Sequence, residues 1–415
     1  MKFLFFKIFL LQILFFVTDS KAQKNECLNS NLKALNSISP LDTNFSDLEF
    51  LKEILKDVEI VALGEATHGD GTSFEAKTRL VKFLHQEMGF EVLAFESGLY
   101  DCHKAWQLIE QGENADTTAG KGVFGIWSLS KQMQPLFQYL EESKYTETPL
   151  ILTGFDFQFS GSHKGAVAEE FLIEDIKALL NKYNIDLVKT EGWHAFAKDM
   201  QGRTDYSSEE GEVAMEYLLK IEKELKKLDE NREITFWLQW IKSTKALITD
   251  RKYRDKYMAE NLIWLKEQFY THKKFILWGA TSHFMFNSSN LGIKQFKKYP
   301  RMGDYVKEKY GERFYTIGSI IFEGERARSG WPDSYIRELK PAKKRSLEYL
   351  VNEKCSTEHC FLDFKEMDND CYLKSKKKKS RPFGWTKYMR INIRQFMDAV
   401  IFHKKMERAT AVEKE

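Results

Sequence analysis

The sequence predicts an α/β protein with a central, mostly parallel sheet surrounded by helices. Two observations lead to this prediction: several short apolar runs each end near a polar residue, and long stretches with helical periodicity separate them. The 415 residues suffice for one large or two ordinary domains with a well-filled core. With 7 prolines, 23 glycines and 14% aromatic residues, the composition is that of a globular protein and not of a disordered one.

The first 22 residues have the pattern of a secretory signal peptide. Lys2 and Lys7 precede an apolar segment, residues 8–17, and the small residue Ala22 offers a cleavage point. The apolar segment is shorter than the roughly 20 residues that a membrane span requires. We therefore expect an exported protein, periplasmic or secreted, with no stable membrane insertion after cleavage. An uncleaved anchor is the alternative.

The charge balance gives no reason to expect nucleic acid as a partner. The chain has 63 Lys and Arg and 61 Asp and Glu residues. Removal of residues 1–22, which contain three Lys and one Asp, leaves 60 basic and 60 acidic residues. A chain with no net positive charge lacks the electrostatic feature on which phosphate-backbone binding depends.

Five cysteines suggest one local disulfide. Cys355, Cys360 and Cys371 lie close together in the chain, whereas Cys27 and Cys102 are distant. In an exported protein, cysteines that lie close together can form a disulfide because the compartment is oxidising. The odd number leaves at least one thiol unpaired within the chain. The spacing does not fit a zinc site with two cysteine pairs.

Two apolar runs separated by a helix predict a parallel pair of strands. Residues 58–63 end at a Gly that is followed by Glu65 and His68, residues 74–88 have a helical pattern, and a second apolar run ends at Glu96. A right-handed crossover makes the two strands parallel. The three polar side chains are then expected at one rim of the sheet, where open α/β sheets bind ligands.

Further strands follow in the same manner. The candidates are residues 150–153, 274–279 and 314–322, and residues 396–402 read as a late strand or a core segment. Asp156 follows the first of these runs and His283 the second, so we expect both side chains near the same rim.

The middle of the chain, about residues 165–269, reads as helical. Within residues 209–229, apolar positions recur every three or four residues, which is typical of a helix with one face on a core. We interpret this region as a helical insertion that packs over the active-site rim as a lid.

The remaining chain completes one catalytic domain. We place this domain at residues 58–330, after a helical lead-in at residues 23–57. Residues 331–415 complete it and contain a basic loop, residues 374–381, which is either solvated or a contact for an acidic surface.

The polar residues at the rim suit acid–base chemistry. A neighbouring carboxylate fixes the tautomer of a His, and Glu65 lies three residues before His68. One His could take a proton from water while the other, His283, donates to a leaving group or a developing oxyanion. The structural alternatives are a polar loop around His68 and a cap for the following turn at Glu96.

One further basic residue belongs with this group. Arg254, Met258 and Asn261 lie four and seven residues apart, on one face of a helix. If that face borders the rim, Arg254 can pair with Glu96 or orient a substrate oxygen. A surface ion pair is the alternative.

Several common motifs are absent from the sequence. It has no Gly-x-Ser-x-Gly, no Gly-x-Gly-x-x-Gly after the first strand, no Gly-x-x-x-x-Gly-Lys-Ser/Thr and no His-Glu-x-x-His. An ordinary serine esterase, a dinucleotide-binding enzyme and a P-loop nucleotide-binding protein are therefore disfavoured.

At these same positions the sequence resembles the erythromycin esterase family. The resemblance spans roughly residues 58–322, with a weaker similarity near residues 396–402. The matching stretches are GEATHG at 64–69, GFEVLAFE at 89–96, TGFD at 153–156, RDKYMAEN at 254–261, the strand that leads to His283, MGDY at 302–305 and Ile317-Gly318.

The resemblance implies an α/β fold and hydrolysis of an ester, in the best-known members the lactone of a macrolide. It also implies that a His acts as base on water without a covalent intermediate. The implied catalytic residues are His68 as base, Glu65 as its orienting neighbour, Glu96 and His283, and the implied substrate-binding residues are Arg254, Lys77 and Asp156.

The sequence also departs from the family pattern. The family often has a Trp followed closely by a Glu where this chain has Trp127-Ser128-Leu129-Ser130-Lys131, and no Glu is present there. Many members carry Asn-Ala where this chain has Thr281-Ser282 before His283. The first departure bears on substrate contacts of the helical region.

Three functions follow as hypotheses. The leading one is a hydrolase of a small-molecule ester or lactone that needs no cofactor. In the second, Glu65, His68, Glu96 and His283 hold a divalent metal, zinc or manganese, that activates the water. Metal analysis, with activity measured after chelation, separates these two. The third is a non-catalytic carbohydrate- or peptide-binding protein. Substrate identity and oligomeric state are not encoded in these patterns.

Overall fold

The fold is built on one large sheet with helices on both faces. The structure is a computed structural model, and it describes residues 28, 31–160, 167–200, 208–327, 336–365, 367, 377–383 and 388–412. Within these residues, nine strands form the large sheet and two form a separate small one.

The strands are numbered in chain order. They are β1 Leu32–Leu35, β2 Ile60–Glu65, β3 Phe90–Gly98, β4 Ile151–Asp156, β5 Lys274–Ala280, β6 Phe314–Arg326, β7 Arg337–Leu339, β8 His359–Asp363, β9 Lys378–Ser380, β10 Met389–Ile391 and β11 Ala399–Met406.

The helices are numbered in the same way. They are α1 Phe50–Ile54, α2 Gly71–Met88, α3 Leu99–Glu110, α4 Ala115–Gly122, α5 Gly125–Ser128, α6 Gln134–Ser143, α7 Val167–Lys182, α8 Trp193–Met200, α9 Ser208–Leu225, α10 Arg232–Thr249, α11 Arg254–Trp264, α12 Thr281–Phe284, α13 Lys294–Lys298, α14 Met302–Tyr310 and α15 Leu347–Asn352.

Alternate residues of the central strands pack on opposite faces of the sheet. Ile60 and Ala62 of β2 belong to an apolar cluster with helices α7 to α11. Val61 and Leu63 belong to a second cluster, with α2, α3 and α6. This follows from the two-residue period of a strand, and burial of both faces explains why the strands read as continuous apolar runs.

The order of strands places four carboxyl ends together. The order is β1-β8-β11-β6-β2-β5-β3-β4, with β7 on β6. All pairs from β11 to β4 are parallel, whereas β1, β7 and β8 pair in the antiparallel sense. β2 and β3 run in the same direction, as predicted, but β5 lies between them and pairs with both. Crevices at such reversals of strand order are where open α/β sheets bind ligands.

The predicted fold class is confirmed. Each predicted strand is present, with ends that differ from the prediction by a few residues. The described part of residues 165–269 is mainly helical, from α7 to α11, and α11 continues into a π-helical turn at Leu265–Phe269. The domain boundaries themselves remain predictions.

The helical lead-in predicted for residues 23–57 is wrong in part. Leu32–Leu35 is the edge strand β1, antiparallel to β8, with Leu35 opposite His359. Leu28 and Asn31, before this strand, are helical, and further helical turns follow at Ser46–Leu48 and Phe50–Ile54. The pairing joins segments more than 300 residues apart, so no local sequence window contains the signal. The predicted signal peptide, residues 1–22, lies outside the described residues.

The basic loop predicted for residues 374–381 is also wrong where it is described. Lys378–Ser380 is strand β9, paired with β10. Arg381 is buried and donates hydrogen bonds to the carbonyl oxygens of Phe322, at 2.5 Å, and Lys340, at 2.9 Å. Backbone carbonyls thus bind this cation away from solvent. Residues 374–376 lie outside the described part of the chain.

The predicted local disulfide is confirmed as Cys355–Cys360. Cys102 is a buried free thiol, and burial raises its pKa well above the ordinary value. Cys27 and Cys371 are outside the described residues.

No helix within the described ranges is both long enough and apolar enough to cross a membrane.

Gly69, in the loop between β2 and α2, packs closely against two segments that are distant in the sequence. Its carbonyl oxygen accepts a hydrogen bond from the backbone N–H of Ala409, at 2.8 Å. A Cβ atom on Gly69 would lie 1.9 Å from the carbonyl oxygen of Ala327. Only a residue without a side chain fits there, because the clashing atom belongs to the backbone.

We expect Gly69→Ala to lower the free energy of unfolding by roughly 1–3 kcal/mol, the usual cost of overpacking. Urea denaturation followed by tryptophan fluorescence measures this change. Gly120→Ala in α4 is the matched control, because its Cβ would meet no atom closer than 3.7 Å. The control should be neutral or more stable by up to about 1 kcal/mol, the helix-propensity difference. Equal stability of Gly69→Ala and the wild type would contradict the close approach.

Candidate active site

Glu65, the last residue of β2, is completely buried. Its Oε1 accepts hydrogen bonds from Trp127 Nε1, at 2.9 Å, and from the His68 Nδ1 position, at 3.0 Å. Its Oε2 pairs with the ammonium group of Lys77. A buried carboxylate is costly unless its oxygens are satisfied, and here both are occupied by donors.

Lys77 lies on the first turns of α2 and is also buried. Burial disfavours its charged form and lowers its pKa to about 8, although Glu65 opposes this shift. The ammonium group lies 3.9 Å from the centre of the Trp278 ring and 3.4 Å from the carbonyl oxygen of Gly279. The side chain therefore contacts the Glu65 carboxylate and the end of β5.

His68 is the exposed member of this first group. Its side chain is 20% exposed, and its ring meets the Trp127 ring edge-on with centroids 5.2 Å apart. Because a carboxylate accepts hydrogen bonds, the contact with Glu65 favours a proton on Nδ1. The lone pair of Nε2 is then available to accept a proton.

A second group lies at the ends of β3 and β4. Arg254, at the start of α11, donates from Nη2 to Glu96 Oε1 at 2.9 Å and from Nε to Asp156 Oδ2 at 3.0 Å. The second Glu96 oxygen accepts from the backbone N–H of Ala280 at 2.9 Å. Arg254 thus joins two buried carboxylates from neighbouring strands.

His283, on the short helix after β5, completes this second group. Its Nε2 is 3.2 Å from Glu96 Oε1 and its Nδ1 is 2.7 Å from Asp255 Oδ1. Asp255 Oδ2 also pairs with Arg301 Nη1 at 3.0 Å. With a carboxylate oxygen at each ring nitrogen, His283 can donate from both when it carries its second proton.

The cations of this group determine the ionisation of the carboxylates. Burial opposes the charge of Glu96, but His283, Arg254 and His68 outweigh burial and lower its pKa to about 2. Burial likewise opposes the charge of Asp255, and His283 and Arg301 still lower its pKa. Burial disfavours the charge on Arg254, yet Asp156 and Glu96 raise its pKa further.

The end of β5 connects the two groups. Gly279 faces Lys77 through its carbonyl, and Ala280 donates its N–H to Glu96. A Cβ on Gly279 would lie 2.7 Å from Glu96 Oε2, so only Gly allows the carboxylate to approach. Because β5 pairs with both β2 and β3, it fixes the spacing between the two groups.

A cleft of about 540 Å³ opens over this rim. Its lining residues are Ala66, Thr67, His68, Gly69, Ala280, Ser282, Gln295, Phe296, Arg301, Arg326, Ala327, Arg337 and Phe383. Glu96, Arg254 and His283 are not among them. The side chain of Arg254 is nevertheless 24% exposed and that of His283 10%, compared with 20% for His68, which lines the cleft.

The predicted site residues therefore converge at one rim, and their chemical roles remain predictions. Lys77 and Asp156, predicted to bind substrate, are buried and contact Glu65 and Arg254 instead of the cleft. Sequence reasoning gave no role to Trp127, Asp255 or Arg301. The one sequence feature that could have identified these three residues is their position within or beside the stretches that resemble the family.

The rim residues do not form a ligand set for a divalent cation as they stand. Over the described residues, no three or more His, Cys, Asp and Glu side chains are grouped so that they could hold a metal ion. Glu65 and Glu96 direct their oxygens at Lys77, Arg254 and N–H donors. Those cations would repel a metal ion.

The Glu96 ion pair predicts a loss of stability in acid. The ordinary pKa of this group is 4.5 and the folded protein lowers it to about 2, so the stabilisation is present above pH 4.5 and is lost as the pH falls toward 2. The shift corresponds to an effect on the order of 3 kcal/mol. Glu96→Gln mimics the protonated form, so it should be less stable than the wild type at pH 7 and more nearly equal at pH 3.

Urea denaturation at pH 7, 5 and 3 measures these differences. Glu358→Gln serves as the control, since its ion pair with Lys404 is largely exposed and contributes at most about 1 kcal/mol at any pH. A constant difference between Glu96→Gln and the wild type across this range would show that the carboxylate is not stabilised by its cations.

Comparisons with known proteins identify the family of this chain. A family model described as Erythromycin esterase matches residues 85–406. The protein named "Putative hydrolase YbfO" of Bacillus subtilis (strain 168) is 29% identical over 361 residues, which are 80% of this chain and 80% of that protein. "Erythromycin esterase type II" of Escherichia coli is 22% identical over 366 residues, 79% of this chain and 86% of that protein.

Solved structures share the fold. The crystal structure of a succinoglycan biosynthesis protein aligns with a TM-score of 0.73 at 19% identity and covers 93% of this chain and 97% of the other. A mutant of the erythromycin esterase EreC in its open conformation aligns with a TM-score of 0.67 at 16% identity, over 92% of this chain and 100% of the other. These two likenesses concern the fold alone.

The family model matches residues 85–406, which are well over half of this chain. The chain therefore belongs to the erythromycin esterase family, a family of hydrolases.

Proposed function

We propose that this protein hydrolyses an ester or lactone by direct attack of water, with His68 as the general base and no covalent intermediate. The observation that supports it most is the Glu65–His68 pair, which lies at the wall of the cleft with Nδ1 against the carboxylate. The name of the relative "Erythromycin esterase type II" makes a macrolide lactone one candidate substrate. The signal-peptide pattern supports export, so we place the activity in the periplasm or outside the cell.

In the first step, Nε2 of His68 accepts a proton from a water molecule in the cleft. The water oxygen bonds to the carbonyl carbon, and the carbonyl π electrons move to its oxygen. The Glu65 carboxylate stabilises the imidazolium that forms, because it is completely buried and lies 3.0 Å from the ring nitrogen. Lys77 and Trp127 hold that carboxylate in place.

In the second step, the tetrahedral intermediate collapses. The oxyanion electrons re-form the carbonyl, the bond to the alcohol oxygen breaks, and the proton on Nε2 of His68 passes to the leaving oxygen. His68 is thereby restored, and the products are a carboxylic acid and an alcohol. Each proton transfer uses the same nitrogen, so no second exposed base is needed.

The second group supplies positive charge for the oxyanion. Arg254 and His283 are the candidates, and their nitrogens Nη1 and Nε2 lie 3.5 Å apart. Glu96, Asp156 and Asp255 orient them. We propose that these two cations stabilise the oxyanion once the substrate is bound, since their side chains are 24% and 10% exposed. Lys77 and Asp156 are then positioning residues and not substrate contacts.

We expect His68→Ala to lower kcat by about 10²–10⁴, the usual contribution of a general base, and to leave the melting temperature within a few degrees of the wild type. Activity is read on a panel of macrolides and simple esters, by mass spectrometry for the addition of one water. The control is His194→Ala, since His194 is exposed on α8 and far along the chain from the rim.

Turnover by His68→Ala at the wild-type rate would reject the assignment of the base. Absence of any hydrolysis by the wild type over the panel would favour a binding protein on the same scaffold.

A further inference from the structure

We infer that the chain has a second ligand site, a cavity between α3, α7 and α10 that binds a small aromatic carboxylate through Arg232 and His103. The cavity is separate from the cleft that His68 lines. The inference goes beyond the proposed function and does not rest on it, because it concerns binding at another place in the fold.

The size and position of the cavity are those of an independent site. Its volume is about 400 Å³, which is typical of a small-molecule pocket, and it shares no described lining residue with the cleft. Helix α11 and its π-helical turn run from Arg254, at the rim, to Phe269, which lines the cavity. At about 1.5 Å per residue, these two residues lie roughly 20 Å apart along the helix.

The walls of the cavity suit an aromatic ring. Its lining includes four aromatic side chains, Tyr100, Phe236, Trp237 and Phe269. The ring centres of Tyr100 and Trp237 lie 5.8 Å apart, and so do those of Phe236 and Phe269. Contacts at such spacings stabilise a further ring that packs against them. Phe269 also ends a π-helical turn, an irregularity that is frequent at functional sites.

His103 of α3 gives the cavity an unused polar group. Its ring centre is 3.9 Å from that of Phe236, and its Nδ1 is buried with no hydrogen-bond partner among the described residues. Burial, together with Arg232 and Lys104, lowers the pKa of His103 to about 3, so the ring is neutral near pH 7. A neutral imidazole has one N–H donor and one acceptor nitrogen. Because a buried polar atom without a partner costs free energy, a ligand that supplies one is favoured.

The charges of the lining leave one cation without a carboxylate. Lys104 pairs with Asp175 at 2.9 Å and Lys182 pairs with Glu233 at 2.7 Å, so both carboxylates of the lining are engaged. Arg232 is the third cation, and within the described ranges no ion pair joins it to a carboxylate. The excess charge is therefore positive, which favours an anionic ligand.

Arg232 and His103 lie against the same ring. The guanidinium carbon is 4.2 Å from the centre of the Phe269 ring and 5.2 Å from that of Tyr270, with whose hydroxyl it also interacts. The His103 ring centre is 5.4 Å from that of Phe269. A guanidinium that stacks on a ring keeps N–H groups in its own plane for an anion. A carboxylate beside Phe269 can thus accept from Arg232 and from the His103 N–H, while its arene packs on Phe236.

The test measures binding of four probes to the full-length wild type by titration calorimetry. They are 2-naphthoate, its neutral amide 2-naphthamide, the cation 2-naphthylmethylammonium, and acetate, which has the charge but no ring. We expect 2-naphthoate to bind about tenfold tighter than the amide and at least about tenfold tighter than acetate, with the cation weaker than the amide. None of the probes is an ester, so the result is independent of any hydrolytic activity.

Three variants locate the site. Arg232→Gln should reduce the affinity for 2-naphthoate to about that for the amide, whose own affinity stays unchanged. His103→Phe should weaken 2-naphthoate by about fivefold and leave the melting temperature equal or higher, because it removes a buried nitrogen without a partner. Ala178 lines the cavity but is exposed on α7, so Ala178→Leu should narrow the cavity without disturbing the core and weaken acid and amide alike.

The controls separate this cavity from other cationic places. Arg390→Gln, an exposed position on β10, should leave all four affinities unchanged. Equal affinity for 2-naphthoate and the amide, or no binding of 2-naphthoate, would overturn the inference. So would a loss of binding in Arg326→Gln, within the cleft, when Arg232→Gln and Ala178→Leu bind as the wild type does. If Arg232→Gln does not fold, Ala178→Leu alone decides whether the ligand occupies this cavity.

Discussion

The buried carboxylate of Glu65 is the constraint on which the rim depends. A charge in the protein interior persists only where donors surround it, and here Lys77, Trp127 and His68 provide them from three different elements. The ammonium, the indole and the imidazole therefore have their positions set by one acceptor. Because His68 is the member of this group that faces the cleft, the same constraint that satisfies the carboxylate also orients the base.

The insertion of β5 between β2 and β3 turns two polar groups into one site. Without it, Glu65 and Glu96 would end adjacent strands, and like charges would face each other directly. With it, the backbone of Gly279 and Ala280 separates them, and each carboxylate acquires its own cation, Lys77 or Arg254. The strand order thus has an electrostatic consequence as well as a topological one.

Much of this could be predicted from sequence, because strand ends and apolar runs are local signals. The expectation that Glu65, His68, Glu96, Arg254 and His283 meet at one rim depended only on parallel strands and a helix face. What could not be predicted depends on long-range order, namely the position of β5 between β2 and β3 and the pairing of the edge strand β1 with β8. Burial of Lys77 and Asp156 was missed because the sequence does not show whether a charged side chain faces the cleft or pairs with another side chain inside the protein.

The central claim is that the Glu65 carboxylate keeps the His68 proton on Nδ1 and leaves Nε2 free. Nitrogen-15 NMR of protein labelled at its histidine rings reads the tautomer directly, and the His68→Ala variant assigns the signals. The account predicts a protonated Nδ1 and an unprotonated Nε2 at a pH where the ring is neutral, with a shift toward the other tautomer in Glu65→Ala. A proton on Nε2 in the neutral wild-type ring would contradict it.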